Sequence, residues 1–289
     1  MRPTLIPAKF ARAAAHPLAF ALLSGAGAIA AFWHFHAQGA PGADLFVAAL
    51  AVGFLAQLID GALGMAYGIS ATTLLLAGGA TPLGATAAVH VAEIFTSGAS
   101  SLVHWRAGNV NRTLFLRLLV PGMIGAIAGA WLATRIDGNA LRPWVSAYLL
   151  LMGVYVVARA LRRRTHLQAA DCKAPGALAF SGGFVDAIGG GGWGPVVAST
   201  LLGSGHTPRS TIGTVNAVEF FVTLASGLSF VLLAGISRWE PVAGLVAGGL
   251  IAAPFAAQLT ARLPARALML AVGLMVSALS AYGLVRALA

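Results

Sequence analysis

The sequence predicts an all-α polytopic membrane protein built from two inverted-topology repeats. Each repeat is a short broken or re-entrant helix pair followed by three transmembrane helices, and one extra transmembrane helix stands at the N-terminus. Three observations predict this: long apolar stretches almost free of charge, an internal repeat offset by 126 positions, and a lopsided distribution of lysine and arginine. Of 289 residues, 58% are hydrophobic and only 9% charged, with a mean hydropathy of +0.85, and a soluble protein of this size would need far more polar surface. The net charge of +10 does not point to nucleic acid. The basic residues sit in short clusters between apolar spans, where the positive-inside rule puts them, and no aromatic-interleaved basic patch exists.

The first element is the N-terminal unit, 1–44. Arg2, Lys9 and Arg12 precede an apolar run from Pro17 to Phe35. The pattern resembles a signal peptide, but the run is long enough to cross a bilayer and more spans follow, so an uncleaved transmembrane helix is the better reading. The first repeat occupies 45–164, a cytoplasmic linker 165–176, and the second repeat 177–289. The linker holds the single cysteine, Cys172, which excludes an intramolecular disulfide framework and a Cys-rich metal site.

The repeat rests on polar matches. At an offset of 126, Asp60 falls on Asp186, Gly64 on Gly190, Gly68 on Gly194, Thr81-Pro82 on Thr207-Pro208 and Glu93 on Glu219. One insertion later, Arg135 falls on Arg262, Tyr155 on Tyr282 and Arg159 on Arg286. Apolar similarity alone does not generate shared Asp, Glu, Arg and Pro. Each half begins with two short apolar pieces split by a glycine-rich break, 45–59 with 66–79 and 177–188 with 193–204. A comfortable crossing needs about 20 residues, so these pieces are too short for one; each pair either re-enters or crosses twice, and both give a repeat an odd number of crossings. Three full spans follow in each half: 84–104, 113–134 and 144–161, then 210–235, 241–262 and 266–288.

Charge tests this threading. With the N-terminus cytoplasmic and each short pair leaving on the side it entered, fourteen Lys and Arg fall on the cytoplasmic side and four (Arg135, Arg142, Arg238 and Arg286) on the other. Each repeat then crosses an odd number of times, so the second is inverted relative to the first. Inverted repeats with interrupted helices at matching positions are the architecture of secondary transporters, whose substrate site lies at the midplane between the breaks. Irregular backbone at that depth is tolerated where it is buried in protein or lines a wet cavity. The break 184–195, FVDAIGGGGWGP, and its partner 60–68, DGALGMAYG, are therefore expected to offer backbone amides to an anion. Gly64, Gly68, Gly190, Gly191 and Gly192 are the candidate amide donors.

Four of the eight acidic residues fall at apolar depth or at a break: Asp60, Glu93, Asp186 and Glu219. Ionisable groups there are costly and mark function. On the helix 84–104, His90, Glu93, Ser97, Ser100 and His104 follow a 3, 4, 3, 4 spacing along one face; Asn216, Glu219, Thr223 and Ser226 occupy the matching face of the partner helix. The two stripes are expected to face each other, with Ser97, Asn216 and Thr223 lining the path, although Ser and Thr also serve as polar glue between packed helices. A carboxyl removed from water favours its neutral form and can carry a proton, so Asp60, Glu93, Asp186 and Glu219 are assigned to proton coupling with His90 as relay. The alternative is a cation or divalent-metal transporter using Asp60, His90, Glu93, Asp186, Asn216 and Glu219. A non-transporting scaffold leaves the paired carboxylates unexplained.

Other features carry less. GGGGWG (189–194) matches G-x-G-x-x-G literally but lacks the strand and the downstream acid of a dinucleotide fold. No phosphate-binding loop of the G-x-x-x-x-G-K-[ST] type and no Ser/His/Asp set is present, so the chain is not read as an enzyme and no cofactor is expected. Trp105, Trp144 and Trp239 read as interfacial anchors, and the small-residue run 122–131 as a close-packing face.

The stretches LIDGALGMAYG (58–68), ATPLGATAAVHVAEIFTSGASSLVHWRAGNV (80–110), VDAIGGGGWGP (185–195) and HTPRSTIGTVNAVEF (206–220) resemble the TauE/SafE family of membrane proteins, the sulfite exporters, over about 45–288. The glycine-rich break and the HWRAGNV turn are the most specific parts. The resemblance implies a secondary transporter of a small anion, such as sulfite or an organosulfonate, probable export, and coupling to an ion gradient. With the buried acids it gives a proton-coupled carrier in the cell inner membrane. Its partners are the anion, protons and the bilayer, with homo-oligomerisation left open.

Overall fold

The computed structural model describes residues 42–63, 65–162, 174–204, 206–236, 238–260 and 265–288. The predicted N-terminal span, Cys172 and Gly64 lie outside the described residues. The first half comprises α1 (Gly42–Leu63), α2 (Tyr67–Ala77), α3 (Pro82–Arg106), α4 (Arg112–Arg135) and α5 (Gly138–Leu161). The second comprises α6 (Pro175–Gly189), a π-helical turn (Gly194–Ala198) running into α7 (Ser199–Gly203), α8 (Pro208–Leu233), α9 (Glu240–Thr260) and α10 (Ala265–Leu288). The described residues are helical apart from turns and breaks, and five helices are long and apolar enough to cross a membrane. Helix α3 has the length but is not among the five, because His90, Glu93 and the neighbouring hydroxyls dilute its hydropathy.

Local chemistry sets the boundaries. Thr81 accepts the Gly84 N–H at 3.1 Å just ahead of Pro82, which starts α3, and Asn111 accepts the Leu114 N–H at 3.1 Å to start α4. Pro175 and Pro208 open α6 and α8 from the first turn, where a missing N–H costs nothing. Gly190, at φ 72°, closes α6 in the left-handed conformation. One expectation is corrected. The first apolar piece, read as 45–59, belongs to a helix of 22 residues, about 33 Å long, which is enough to span. Asp60-Gly61 looks like a terminator in sequence, yet the helix continues through it and breaks only after Leu63. The second piece is short as expected, with 11 residues in α2.

The two halves exchange partners. Helix α1 packs mainly on α9, and its repeat equivalent α6 packs mainly on α4. The equivalents α3 and α8 pack on each other, as do α5 and α10. Both of these pairs run antiparallel: Ser97 meets Thr223 while Ser100 meets Asn216, and Gly283 lies beside Ser146 while Gly273 lies beside Val157.

Small residues allow this contact. Lipid offers helices no hydrophobic reason to associate, so close van der Waals fit carries the packing. Along α4 and α6 the backbones nearly touch: a methyl at Gly125 would collide with the Phe180 carbonyl, and one at Gly183 with the Gly122 carbonyl. The opposite face of α4 presents Leu116, Val120, Ile124, Ile127 and Trp131, all exposed and spaced for one stripe, as a lipid-facing surface requires. Trp105, Trp144 and Trp239 are exposed as expected of interfacial anchors.

Substituting Gly183→Leu is expected to force α4 and α6 apart and to destabilise the fold by about 1–3 kcal/mol, the usual range for overpacking. Thermal unfolding in detergent checks this, with Gly138→Ala, where a methyl meets nothing within 4 Å, as the neutral comparison.

Candidate transport site

The two breaks meet back to back in the middle of the bundle. A methyl at Gly68 would lie 2.6 Å from the Gly191 Cα, and one at Gly194 would lie 2.8 Å from the Met65 Cβ. These contacts are equivalents of each other at the 126-residue offset. Each break is tied by an aspartate at the end of the preceding helix. Asp60 accepts the Tyr67 N–H at 3.3 Å, and Asp186 accepts the Trp193 N–H at 2.8 Å. A carboxylate that caps the first amide of a new helix satisfies a donor that has no intrahelical partner. Tyr148, midway along α5, donates its hydroxyl to the Gly191 carbonyl at 2.8 Å and so places the crossing at mid-depth.

Most of the second break's polar backbone is already engaged. The Gly190 and Gly191 N–H groups both donate to the Asp186 carbonyl, at 2.9 and 3.0 Å. The Gly190 carbonyl accepts the Thr72 hydroxyl. Of the amides expected to greet an anion, these two are therefore turned inward. Gly68 is placed differently, beside the Glu93 carboxyl. Gly190, at φ 72°, also has Thr72 and Thr86 packed where a side chain would go, with Thr86 Oγ1 2.7 Å from a methyl there. In the first break the residue matching Gly192 is Ala66, at φ 109°, a conformation that costs a side-chain-bearing residue about 1–2 kcal/mol.

The acids separate into two kinds. Asp186 is buried and has both oxygens occupied, Oδ1 by Trp193 and Oδ2 by His90 Nε2 at 3.1 Å. Glu93 is buried beside the crossing; a methyl at Gly68 would sit 3.1 Å from its Oε1, while its Oε2 has no partner among the described residues. Glu219 and Asp60 are half-buried. His90 is fully enclosed, and its hydrogen bonds fix a proton count. Nδ1 lies 2.8 Å from the Thr86 carbonyl, which only accepts, so Nδ1 carries hydrogen. Nε2 then faces an Asp186 oxygen, and a bond there needs one further proton, on either Nε2 or the carboxyl. The His90–Asp186 bond thus contains one proton between the two groups, one helical turn from Glu93.

The polar stripes of α3 and α8 do face each other. Ser97 Oγ and Thr223 Oγ1 are 3.3 Å apart, and Asn216 donates to Ser100 Oγ at 3.2 Å. Ser97 also reaches the Glu93 carbonyl, and Thr223 the Phe220 carbonyl. Each hydroxyl has one hydrogen, so a bond across the seam requires one of them to release its own helix. The HWRAGNV turn clasps the halves: Arg209 donates to Asn109 Oδ1 at 2.6 Å, and Thr214 accepts the Asn111 N–H at 2.8 Å.

Sequence reasoning missed Thr72, Thr86 and Tyr148, which pack on the second break, and Arg159, which reaches Ser199 and Met65 at the junction of the halves. The only signal for the threonines was their presence in an apolar helix. The metal alternative gains no coordination shell: among the described residues no three His, Cys, Asp or Glu side chains are grouped to hold an ion.

A multi-pass helical bundle with two interrupted helices crossing at mid-depth, beside buried carboxylates, defines a membrane transporter. The chain matches the family described as "Sulfite exporter TauE/SafE" over residues 49–283, and it belongs to that family. It is 42% identical over 219 residues to the "Probable membrane transporter protein YtnM" of Bacillus subtilis (strain 168), covering 72% of each chain. It is also 30% identical over 113 residues to the "Probable membrane transporter protein ORF9" of Sinorhizobium sp, covering 39% of this chain and 41% of that one. No solved structure matches it.

Asp186→Ala is expected to destabilise the protein more than Asp60→Ala. The first strands two buried polar groups, the Trp193 N–H and His90 Nε2, at about 1–3 kcal/mol each, whereas the second removes one longer bond from a half-buried site. Melting temperatures of the two variants in the same detergent give the comparison.

Proposed function

We propose that this protein is a proton-coupled secondary carrier that exports a small anion, such as sulfite or an organosulfonate, across the cell inner membrane. The observation that carries the reading is the unpartnered carboxyl oxygen of Glu93, buried where the two breaks cross and one turn from the proton-holding His90–Asp186 pair. A fixed negative charge there would repel an anion. A proton arriving on Glu93 removes that charge, so proton and anion favour each other's presence in the site. Membership of the sulfite exporter family supports sulfite as the substrate class.

The halves act as inverted-topology repeats. The antiparallel packing of α3 on α8 and of α5 on α10 supports this, since equivalent spans of an inverted pair cross in opposite directions. The excess of basic residues on one side supports a cytoplasmic N-terminus. The anion passes along the α3–α8 seam, touching Ser97, Thr223 and Asn216, with the Gly68 and Gly192 amides at the crossing. Glu219, the repeat equivalent of Glu93, and Asp60 serve the opposite-facing state. Exchange of the Ser97–Thr223 bond for own-helix bonds lets the two helices slide without stranding a hydroxyl.

In proteoliposomes loaded with sulfite, wild-type flux is expected to respond to an imposed pH gradient. Glu93→Gln is expected to lose that response and to reduce coupled flux by about a hundredfold, the lower end of what a positioned proton-transfer group contributes. Unchanged gradient-driven flux in both Glu93→Gln and Glu219→Gln would sink the coupling scheme. Gly190→Val is expected to abolish flux, because the side chain would meet Thr72 and Thr86 at a backbone conformation closed to valine.

A further inference from the structure

A second polar site lies away from the crossing. Helices α2, α5 and α10 form a small, partly open cavity lined by Arg142, Thr73, Ser146, Ser280, Leu76 and Leu149. Arg142 is half-buried near the start of α5 and donates one N–H to the Ala80 carbonyl at 2.9 Å. No carboxylate lies within ion-pair distance of it among the described residues. The hydroxyls of Thr73 and Ser280 are buried, 2% and 4% exposed, and neither has a hydrogen-bond partner among the described residues. Ser146 is buried at the same wall.

A buried hydroxyl without a partner is costly, and two of them beside an uncompensated guanidinium are mutually unexplained unless something accepts from all three. The acceptor that fits is negatively charged and small, since the remaining wall is apolar, built of Leu76, Ala77, Leu149, Leu279 and Gly283. We propose that this cavity binds a small oxyanion, with Arg142 supplying charge and Thr73, Ser146 and Ser280 supplying hydroxyl donors. The donor set is the one that oxyanion oxygens prefer.

The position gives the site its role. On α2, Thr73 lines the cavity while the adjacent Thr72 bonds the Gly190 carbonyl; on α5, Leu149 lines the cavity while the adjacent Tyr148 bonds the Gly191 carbonyl. Neighbouring residues on a helix point about 100° apart, so the same two helices form one wall of the cavity and one wall of the crossing. The cavity is a station for the anion at the Arg142 end of α5, the side on which an exported anion leaves. That role rests on the anion-carrier reading proposed above, whereas the binding itself does not.

The test combines binding and flux. Thermal stabilisation of lipid-free protein in dodecyl maltoside is measured against sulfite, sulfate and phosphate, and against added phosphatidylglycerol, for wild type, Arg142→Gln and the paired near-isosteric substitutions Thr73→Val with Ser280→Ala. The same proteins are assayed for sulfite flux in proteoliposomes. Wild type is expected to be stabilised by a free oxyanion, with apparent affinity about tenfold weaker in Arg142→Gln and in the hydroxyl pair, and with the KM for sulfite raised while kcat is kept. Equal stabilisation in all three proteins overturns the site. Arg142-dependent stabilisation by phosphatidylglycerol alone also overturns it, since the pocket would then hold a lipid headgroup. Arg142-dependent anion binding without sulfite flux in wild type keeps the site and removes the carrier reading. Normal flux with no Arg142-dependent binding does the reverse.

Discussion

The structure depends on a crossing of two backbones. Gly68 lies against Gly191 and Gly194 against Met65, closer than any pair of side chains would allow. Such an approach exposes peptide groups where no water can reach them, so each must find a partner within the protein. Asp186 does most of this. Its carbonyl takes two glycine amides, one carboxylate oxygen takes the Trp193 amide, and the other holds His90. Thr72 and Tyr148 take the glycine carbonyls. A non-helical segment at mid-depth is stable here because its hydrogen-bonding capacity is nearly used up by neighbours.

The surrounding bundle follows from the same constraint. Its helices hold together by fit, which explains why glycine and alanine fill the α4–α6 contact and leucine, isoleucine and tryptophan face outward. The exchange of partners between halves, α1 with α9 and α6 with α4, ties each break to the opposite half. Neither half buries its own broken helix, so the crossing exists only when both are assembled.

Charge is arranged with equal economy. Asp186 and His90 share a proton and leave no net charge between them, so they are compatible with an apolar surround. Glu93 is the exception, with an oxygen that nothing satisfies. A natural structure rarely leaves a buried carboxyl incomplete without a use for it. Arg142, at the edge of the bundle, is the complementary case: a cation with, among the described residues, no carboxylate partner and two idle hydroxyls beside it.

The sequence by itself determined the helical membrane class, the repeat, the bounds of most spans to within a few residues, and the pairing of the polar stripes. Each of these is encoded by periodicity or by identity at a fixed offset, and both can be read along one chain. It misjudged the first apolar piece, because Asp60-Gly61 has the composition of a terminator although its surroundings keep it helical. It could not tell which glycine amides are free, nor separate Asp186 from Glu93, although all four membrane acids looked alike. Those distinctions depend on partners far away in the chain: His90 is 96 residues from Asp186, and Thr72 is 118 from Gly190. Hydrogen-bond capacity is filled by whatever lies within about 3 Å in space, and only the folded bundle decides what that is.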